Sequence, residues 1–232
     1  MSDAPTQINP TKRAEFTANS LAVGTIWTTT QYKEVECGPC CVSIVLRQLN
    51  HPNKTILIDT LRQYSQQYAG GYKPTGRNVV GAKPSLLAAV SAQPTNSSYT
   101  GSYPDNLAAI LNGKFYNGQN DRKWRAAPYN TTKELKQWMR ARSPTDPCIC
   151  QVTWDNGGSH FIVCCGAEAT KATAGATAGH RHYYFSDPYY GLQWIRIPHE
   201  DNKARLTYWP YDKANGQWGA RGRFSTWIVY RM

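Results

Sequence analysis

Long apolar runs and acidic side chains are both scarce in this chain of 232 residues. No segment reaches the roughly 20 consecutive apolar residues that a membrane-spanning helix needs. The N-terminal segment MSDAPTQINPTKRAEF has no apolar core behind its charges, so it lacks the pattern of a Sec-type signal peptide. We therefore expect no membrane span and a chain that is cytoplasmic as synthesised, with export by a specialised secretion system as the alternative.

A regular disulfide framework is also missing. The seven cysteines are an odd number and stand in close groups, unlike the spaced, even set of a secreted disulfide scaffold. Four of them lie in the apolar runs CICQV and FIVCCG, where cysteine behaves as a small hydrophobic residue. These four are Cys148, Cys150, Cys164 and Cys165. Only the remaining group, in the segment CGPCC, indicates chemistry.

Positive charge is what the chain has in excess, with 26 Lys and Arg against 15 Asp and Glu and a net charge of +11. Such a surplus favours anionic partners of many kinds, nucleic acid included. The densest basic groups, RKWR and KQWMRAR, each contain a tryptophan, but a solvated helix face explains them equally well. No helix-turn-helix, zinc-finger or RNA-recognition signature accompanies them, so we do not expect nucleic acid as a partner.

Helical periodicity marks the N-terminal part of the chain. Directly after CGPCC, apolar residues from Val42 to Leu49 recur at i, i+3, i+4 and i+7, which predicts an amphipathic helix. Asn50, His51 and Pro52 are expected to end it. Further helices are predicted at residues 55–68, 84–90, 104–112 and 132–140.

From residue 148 onward the pattern changes to short β-rich runs separated by turn residues. They cover residues 148–154, 159–166, 182–186, 192–197 and 226–231, and an earlier run lies at residues 21–30. Helices followed by an antiparallel sheet predict an α+β fold rather than alternating βαβ units. We interpret residues 1–20 as a polar arm and residues 21–232 as a single domain. We expect most of its C-terminal tryptophans in the core, but for Trp154 and Trp194 a substrate cleft and the core are equally consistent with the sequence.

Cys37 stands where the first predicted helix begins, a position that suits a nucleophile. The positive end of the helix dipole and the backbone N–H groups there stabilise a thiolate. A general base is also needed, and His160 opens the apolar strand HFIVCCG directly after turn residues. Asp187 ends the strand YYFSD before a proline. A hairpin of these two strands would place Asp187 beside His160, where it would orient the imidazole.

Gln31 lies six residues before Cys37 and is the candidate for a fourth role. Its carboxamide N–H and the backbone N–H of Cys37 would form an oxyanion hole for the tetrahedral intermediate of acyl transfer. The four roles of a thiol hydrolase thus have four candidate residues.

The spacing from Gln31 to Cys37 in ECGPC, followed by GSHFIVCCG and YYFSDPYYG, resembles the papain-like cysteine peptidases. It is most similar to the branch of bacteriocin leader (double-glycine) peptidases and their stand-alone relatives, across residues 28–194. The resemblance implies a papain-like fold, in which N-terminal helices, with the nucleophile at a helix N-terminus, pack on a C-terminal antiparallel β-sheet. It also implies that Gln31 is the oxyanion donor, Cys37 the nucleophile, His160 the base and Asp187 its orienting group.

Cys40 is the nucleophile in a second alignment. Papain itself uses the second cysteine of a Cys-Gly-Ser-Cys run, and matching that run here would select Cys40. The same alignment would put Glu34 in the oxyanion position, where a carboxylate would repel the developing negative charge. The spacing from Gln31 therefore favours Cys37.

The CxxC segment also allows a redox interpretation, with Cys37 as the attacking thiol and Cys40 as the resolving one. Glu36 precedes the motif where thioredoxins have an aromatic residue, and the βαβ context is missing. A disulfide-exchange protein would also leave His160 and Asp187 without a role.

A zinc site is the other alternative for these cysteines. Cys37 and Cys40 have ligand spacing, and His180 and His182 form an HRH pair. No second CxxC or HxxxH completes a tetrahedral set. We therefore expect no metal and no cofactor.

Together these features predict a cysteine-type peptidase that cleaves peptide bonds through a Cys-His-Asp triad. The same triad also supports amidase, deamidase and transpeptidase chemistry, and papain-like folds can act as non-catalytic binding modules. A basic, free-standing peptidase without a signal peptide fits a bacterial effector or toxin. The expected partners are a protein or peptide substrate and a cognate immunity protein.

Overall fold

Helices precede the main strands along most of the chain, as the sequence pattern predicts. The computed structural model describes residues 15–20, 24–31, 36–69, 102–115, 123–129, 131–169, 180–198, 206–212 and 215–232. Its helices are α1 (Cys37–Gln48), α2 (Ile58–Ala69), α3 (Pro104–Phe115) and α4 (Thr132–Arg140). Its strands are β1 (Glu15–Ser20), β2 (Gly24–Thr29), β3 (Trp124–Pro128), β4 (Cys148–Trp154), β5 (Ser159–Ala169), β6 (His180–Asp187), β7 (Gly191–Pro198), β8 (Thr207–Tyr208), β9 (Tyr211–Asp212), β10 (Gln217–Trp218) and β11 (Gly222–Arg231). The α+β class is confirmed.

An antiparallel sheet of seven strands forms the frame of the described structure. Its order is β3-β11-β4-β5-β6-β7, and β8 pairs with β11. The last strand in sequence, β11, therefore lies between β3 and β4. The predicted pairing of β5 with β6 is confirmed, and it extends from Ala169 opposite Arg181 to Val163 opposite Ser186. Two smaller sheets consist of β1 with β2 and of β9 with β10.

Side chains of β5 alternate between two apolar cores, because successive side chains of a strand point to opposite faces of the sheet. Phe161 and Val163 pack in the core to which α1, α2 and α3 contribute. Ile162 and Cys164 pack in the second core, to which α4 contributes. The helices therefore cover both faces of the central strand.

The end of α3 differs from its prediction, because the helix continues through Gly113 to Phe115. Asn112 accounts for the extension. Its carboxamide accepts a hydrogen bond from the backbone N–H of Trp124 and donates one to the carbonyl of the same residue, each 2.8 Å long. These bonds fasten the helix end to β3 and offset the roughly 1 kcal/mol that a glycine costs inside a helix.

Two other predicted segments need comment. Residues 84–90, predicted as a helix, lie outside the described residues. Residues 15–20, interpreted as part of a polar arm, form β1 and pair with β2, while the division into an arm and a single domain stays a prediction. In the part of the chain that the structure describes, no helix is long and apolar enough to cross a membrane.

Candidate active site

Cys37 is the first residue of α1, so the positive end of the helix dipole lies at this thiol. The side chain is nearly buried, with 5% of its surface exposed. A Cβ atom on the next residue, Gly38, would lie 2.6 Å from Cβ of Ser102 and 3.1 Å from Cδ2 of Leu107. Only glycine allows this close packing, which fixes the position at which the helix begins.

His160 is buried near the start of β5. The turn before it contains Gly157 and Gly158, both with a positive φ that favours glycine. The ring Nε2 lies 2.9 Å from Oδ1 of Asp187, so the two residues meet as the predicted hairpin requires. Nδ1 is then the ring nitrogen that remains for Cys37, whose side chain also raises the pKa of His160.

Opposite charges make His160 more basic than an ordinary histidine. Burial alone would lower the pKa of His160, but the Asp187 carboxylate and the Cys37 side chain outweigh it and raise the pKa from 6.5 to about 10. Burial would raise the pKa of Asp187, yet the charge and hydrogen bond of His160 lower it below its usual 3.8. At neutral pH the two residues therefore form an imidazolium–carboxylate ion pair.

Asp187 is fully buried and accepts four hydrogen bonds. Its Oδ1 accepts one from His160 and two more from the backbone N–H groups of Tyr189, at 2.7 Å, and Tyr190, at 3.1 Å. Its Oδ2 accepts one of 2.6 Å from the hydroxyl of Tyr208. The backbone turns back on the carboxylate directly after the strand ends, as aspartate side chains favour. With all of these donors the carboxylate keeps its charge although it is buried.

Tyr208 belongs to the site although no sequence motif indicates it. This residue lies on β8 and is fully buried, with the rings of Phe185 and Phe224 in edge contacts around it. Its position depends on the pairing of β8 with β11, which no local pattern reveals. The aromatic segment LTYWPY could have indicated a buried strand but not a contact with Asp187.

Gln31 lies beside the same turn. Its backbone N–H donates a hydrogen bond of 2.8 Å to the carbonyl of Pro188, which connects the end of β2 to the residue after Asp187. The Gln31 side chain is buried, and its Oε1 has no hydrogen-bond partner among the described residues. A buried carboxamide oxygen without a partner is unfavourable unless a hydrogen-bond donor, such as an N–H group of a ligand, binds to it.

Tryptophans occupy both the site and the surface. Trp154 stacks on the imidazole of His160, with the ring centres 5.4 Å apart and an angle of 22° between the rings. The expectation that most C-terminal tryptophans lie in the core is wrong for Trp209 and Trp218, which are exposed, and Trp194, which was left open, is exposed as well. Trp194 lies on the edge strand β7, and the other two lie around the short β9–β10 pair.

The other six cysteines are fully buried, and all seven are free thiols. Burial raises the pKa of Cys41, Cys148 and Cys164 well above the usual value, which disfavours their thiolates. Cys40, the alternative nucleophile, is also fully buried. Among the described residues, no group of three or more His, Cys, Asp or Glu side chains could hold a metal ion.

Comparison with known proteins assigns no family to this chain. No protein-family model matches it, and no curated protein matches it either. Any assignment of chemistry therefore depends on the residues of the site themselves.

Proposed function

We propose that this protein is a papain-like cysteine peptidase in which Cys37, His160 and Asp187 form the catalytic triad. One observation carries the proposal. A helix start, a strand start and a strand end, far apart in sequence, bring three side chains together: His160 bonds to Asp187, and the Cys37 side chain raises the pKa of the imidazole. In the proposed arrangement Nδ1 faces the thiol and Nε2 faces the carboxylate, the order that nucleophilic catalysis by cysteine requires.

The proposed reaction starts from the ion pair in which the Cys37 proton already resides on His160, a thiolate beside an imidazolium. The sulfur attacks the carbonyl carbon of the scissile peptide bond, and the imidazolium then gives its proton to the departing amine. This leaves a thioester on Cys37. A water molecule, deprotonated by His160, attacks the thioester, releases the carboxylic acid product and restores the thiolate–imidazolium pair.

Three residues besides Cys37 and His160 have supporting roles in this proposal. The carboxamide of Gln31 and the backbone N–H of Cys37 stabilise the negative oxygen of each tetrahedral intermediate. Asp187 keeps the imidazole in place and stabilises its positive charge. Trp154 covers one face of the ring and reduces access of water to the ion pair.

The substrate belongs to the same proposal. We take it to be a protein or peptide, although the triad would equally support amidase, deamidase or transpeptidase chemistry. The charge of +11 favours a bacterial effector or toxin, which a cognate immunity protein would inhibit. Tight binding of a protein encoded next to this one would support that role, and harmless expression in every candidate target compartment would contradict it.

Thiol labelling tests the catalytic pair directly. Native protein at neutral pH is treated with a limiting amount of iodoacetamide or of the papain inhibitor E-64, and the modified cysteine is mapped by mass spectrometry. We expect rapid modification of Cys37 alone. His160→Ala should slow the reaction strongly, whereas the matched variant His182→Ala, outside the triad, should not change it.

Other results would change the proposal in defined ways. Modification of Cys37 together with Cys40, only after reduction and regardless of His160, would indicate a redox pair. A protein without any reactive cysteine would be a binding module. If Cys37 labels as expected, a peptide library with and without an added amine acceptor separates hydrolysis from transpeptidation.

A further inference from the structure

A cavity of about 490 Å³ lies at the C-terminal end of α1, and the proposed catalysis does not use it. Its lining consists of Trp27, Arg47, Gln48, Asn50, Lys54, Pro144 and Thr145. Cys37 begins the same helix, and at about 1.5 Å per residue the helix separates it from Arg47 by about 15 Å. The cavity is therefore distinct from the candidate active site.

Gln48 holds the walls of this cavity together. Its Oε1 accepts a hydrogen bond from the backbone N–H of Trp27, and its Nε2 donates one of 3.1 Å to the carbonyl of Pro144. Helix α1, strand β2 and the turn after α4 thus have fixed positions around the cavity. A preformed cavity of this volume is in the range that small-molecule ligands occupy.

Both charged side chains of the lining are cations. The Arg47 guanidinium lies over the ring of Trp27, 5.8 Å from its centre. The Lys54 ammonium donates a hydrogen bond of 2.5 Å to Oδ1 of Asn50, which restricts where the ammonium lies. Cations held beside an aromatic ring and an amide suit a ligand that has both a negative group and a flat apolar part.

The carboxylate next to this lining is already neutralised. Asp146 follows Thr145 in sequence and forms ion pairs with Arg142 at 3.1 Å and Arg231 at 3.5 Å. Its charge therefore opposes an incoming anion only weakly.

The negative end of the α1 dipole is also reduced at the cavity. Asn50 has a φ of 50°, a left-handed conformation that helix ends usually give to glycine. In this conformation its backbone N–H bonds to the carbonyl of Arg47, and that of His51 bonds to the carbonyl of Leu46. Asparagine rather than glycine at this position also supplies the oxygen that holds Lys54.

We propose that this cavity binds a small organic anion. Its carboxylate or phosphate lies between Arg47 and Lys54, and its flat part lies on the indole of Trp27. A guanidinium donates paired N–H groups and an ammonium carries a compact positive charge, and carboxylate and phosphate oxygens accept hydrogen bonds from both. This site is independent of the proposed peptidase activity.

Four probes test the proposal on the full chain. Phenyl phosphate and benzoate have both the ring and the anion, inorganic phosphate has the anion alone, and phenol has the ring alone. Binding is followed by the shift of the Trp27 indole N–H signal in ¹H–¹⁵N spectra, assigned with Trp27→Phe, and by calorimetry. We expect the two aromatic anions to bind more tightly than either fragment, and their relative affinity identifies phosphate or carboxylate as the preferred group.

Matched variants decide whether the lining is responsible. Arg47→Gln and Lys54→Gln should each weaken binding of the preferred probe by about tenfold or more, the effect of losing a charged hydrogen-bond donor. Lys133→Gln makes the same change in charge on exposed α4 and should leave binding unchanged. If Arg47→Gln fails to fold, the comparison of Lys54→Gln with Lys133→Gln still tests the proposal. Two results would overturn the proposal. One is the absence of a Trp27 shift at a probe concentration of about 10 mM, on the order of a weak small-ligand affinity. The other is equal weakening of probe binding by all three variants.

Discussion

The hydroxyl of Tyr208 donates a hydrogen bond of 2.6 Å to Oδ2 of Asp187, the oxygen that does not face His160. The carboxylate is thereby held from both sides, by an imidazolium on one oxygen and a phenol on the other. In the proposed enzyme Tyr208 is a positioning residue, because it would act on the reaction only through Asp187.

Tyr208→Phe removes one donor from the buried carboxylate. Because a donor favours the charged form, its loss should raise the pKa of Asp187 and move the acid limb of kcat/KM to higher pH. The unsatisfied oxygen should also reduce the free energy of unfolding by about 1–3 kcal/mol. Urea unfolding and a pH profile of peptide cleavage measure the two effects. Tyr211→Phe makes the same change at an exposed ring and should alter neither.

The ion pair of His160 and Asp187 makes stability depend on pH in two directions. The pKa of His160 rises on folding from 6.5 to about 10. Its contribution to the free energy of unfolding is therefore complete below pH 6.5, declines above that pH and is lost as the pH passes about 10. The pKa of Asp187 falls on folding from 3.8, so its contribution is complete above about that pH and is lost in more acidic solution.

We therefore expect the stability difference between the wild type and His160→Gln to be largest between about pH 4 and 6.5. Above that range it should fall by up to about 1.4 kcal/mol per pH unit. Urea unfolding of both proteins at intervals of one pH unit measures this slope. A difference that stays constant from pH 5 to 10 would mean that His160 does not retain its proton in the folded state.

Gln31→Ala tests the oxyanion donor. It should reduce kcat by about 100- to 1000-fold with little change in KM, because the missing N–H acts on the intermediate and not on the bound substrate. Alkylation of Cys37 by iodoacetamide forms no tetrahedral oxyanion and should remain fast. If alkylation slows as much as peptide cleavage does, Gln31 supports the structure instead. Gln137→Ala, at an exposed position of α4, is the matched control.

Gly38→Ala tests the packing at the start of α1. Alanine is the better helix former by up to about 1 kcal/mol, but its Cβ would lie 2.6 Å from Cβ of Ser102. We expect a loss of stability of about 1–3 kcal/mol and a shifted nucleophile with a lower kcat/KM. Thermal unfolding and cleavage assays measure both. Ser102→Gly should restore much of the loss, and Gly113→Ala in exposed helix should stabilise the protein or leave it unchanged.

The predicted site residues were those that stand next to a local signal in the chain. Cys37 begins an apolar helical repeat, His160 follows a glycine turn, and Asp187 precedes a proline. The pairing of two strands along the chain then suffices to bring His160 and Asp187 together, because adjacent β-rich runs form hairpins. The sequence predicts these site residues because each of them is marked by residues that are its close neighbours in the chain.

The remaining parts depend on contacts that have no local signal. Tyr208 reaches Asp187 only because β8 pairs with β11, and Ser102 reaches Gly38 from a different segment. The strand β3 was missed because its sequence, WRAAP, contains no β-branched residue and only one aromatic residue. Exposed tryptophans were wrongly expected in the core because residue type alone does not reveal which strands are at an edge.

The position of β11 has a consequence for shortened forms of the protein. A chain ending after Pro198 would keep Gln31, Cys37, His160 and Asp187, every site residue visible in the sequence. It would lose Tyr208 and the strand that joins β3 to β4, so the sheet would be divided and the carboxylate would lose a donor. Fragments that contain the complete motif set should therefore be inactive, and recovery of activity can serve as a measure of complete folding.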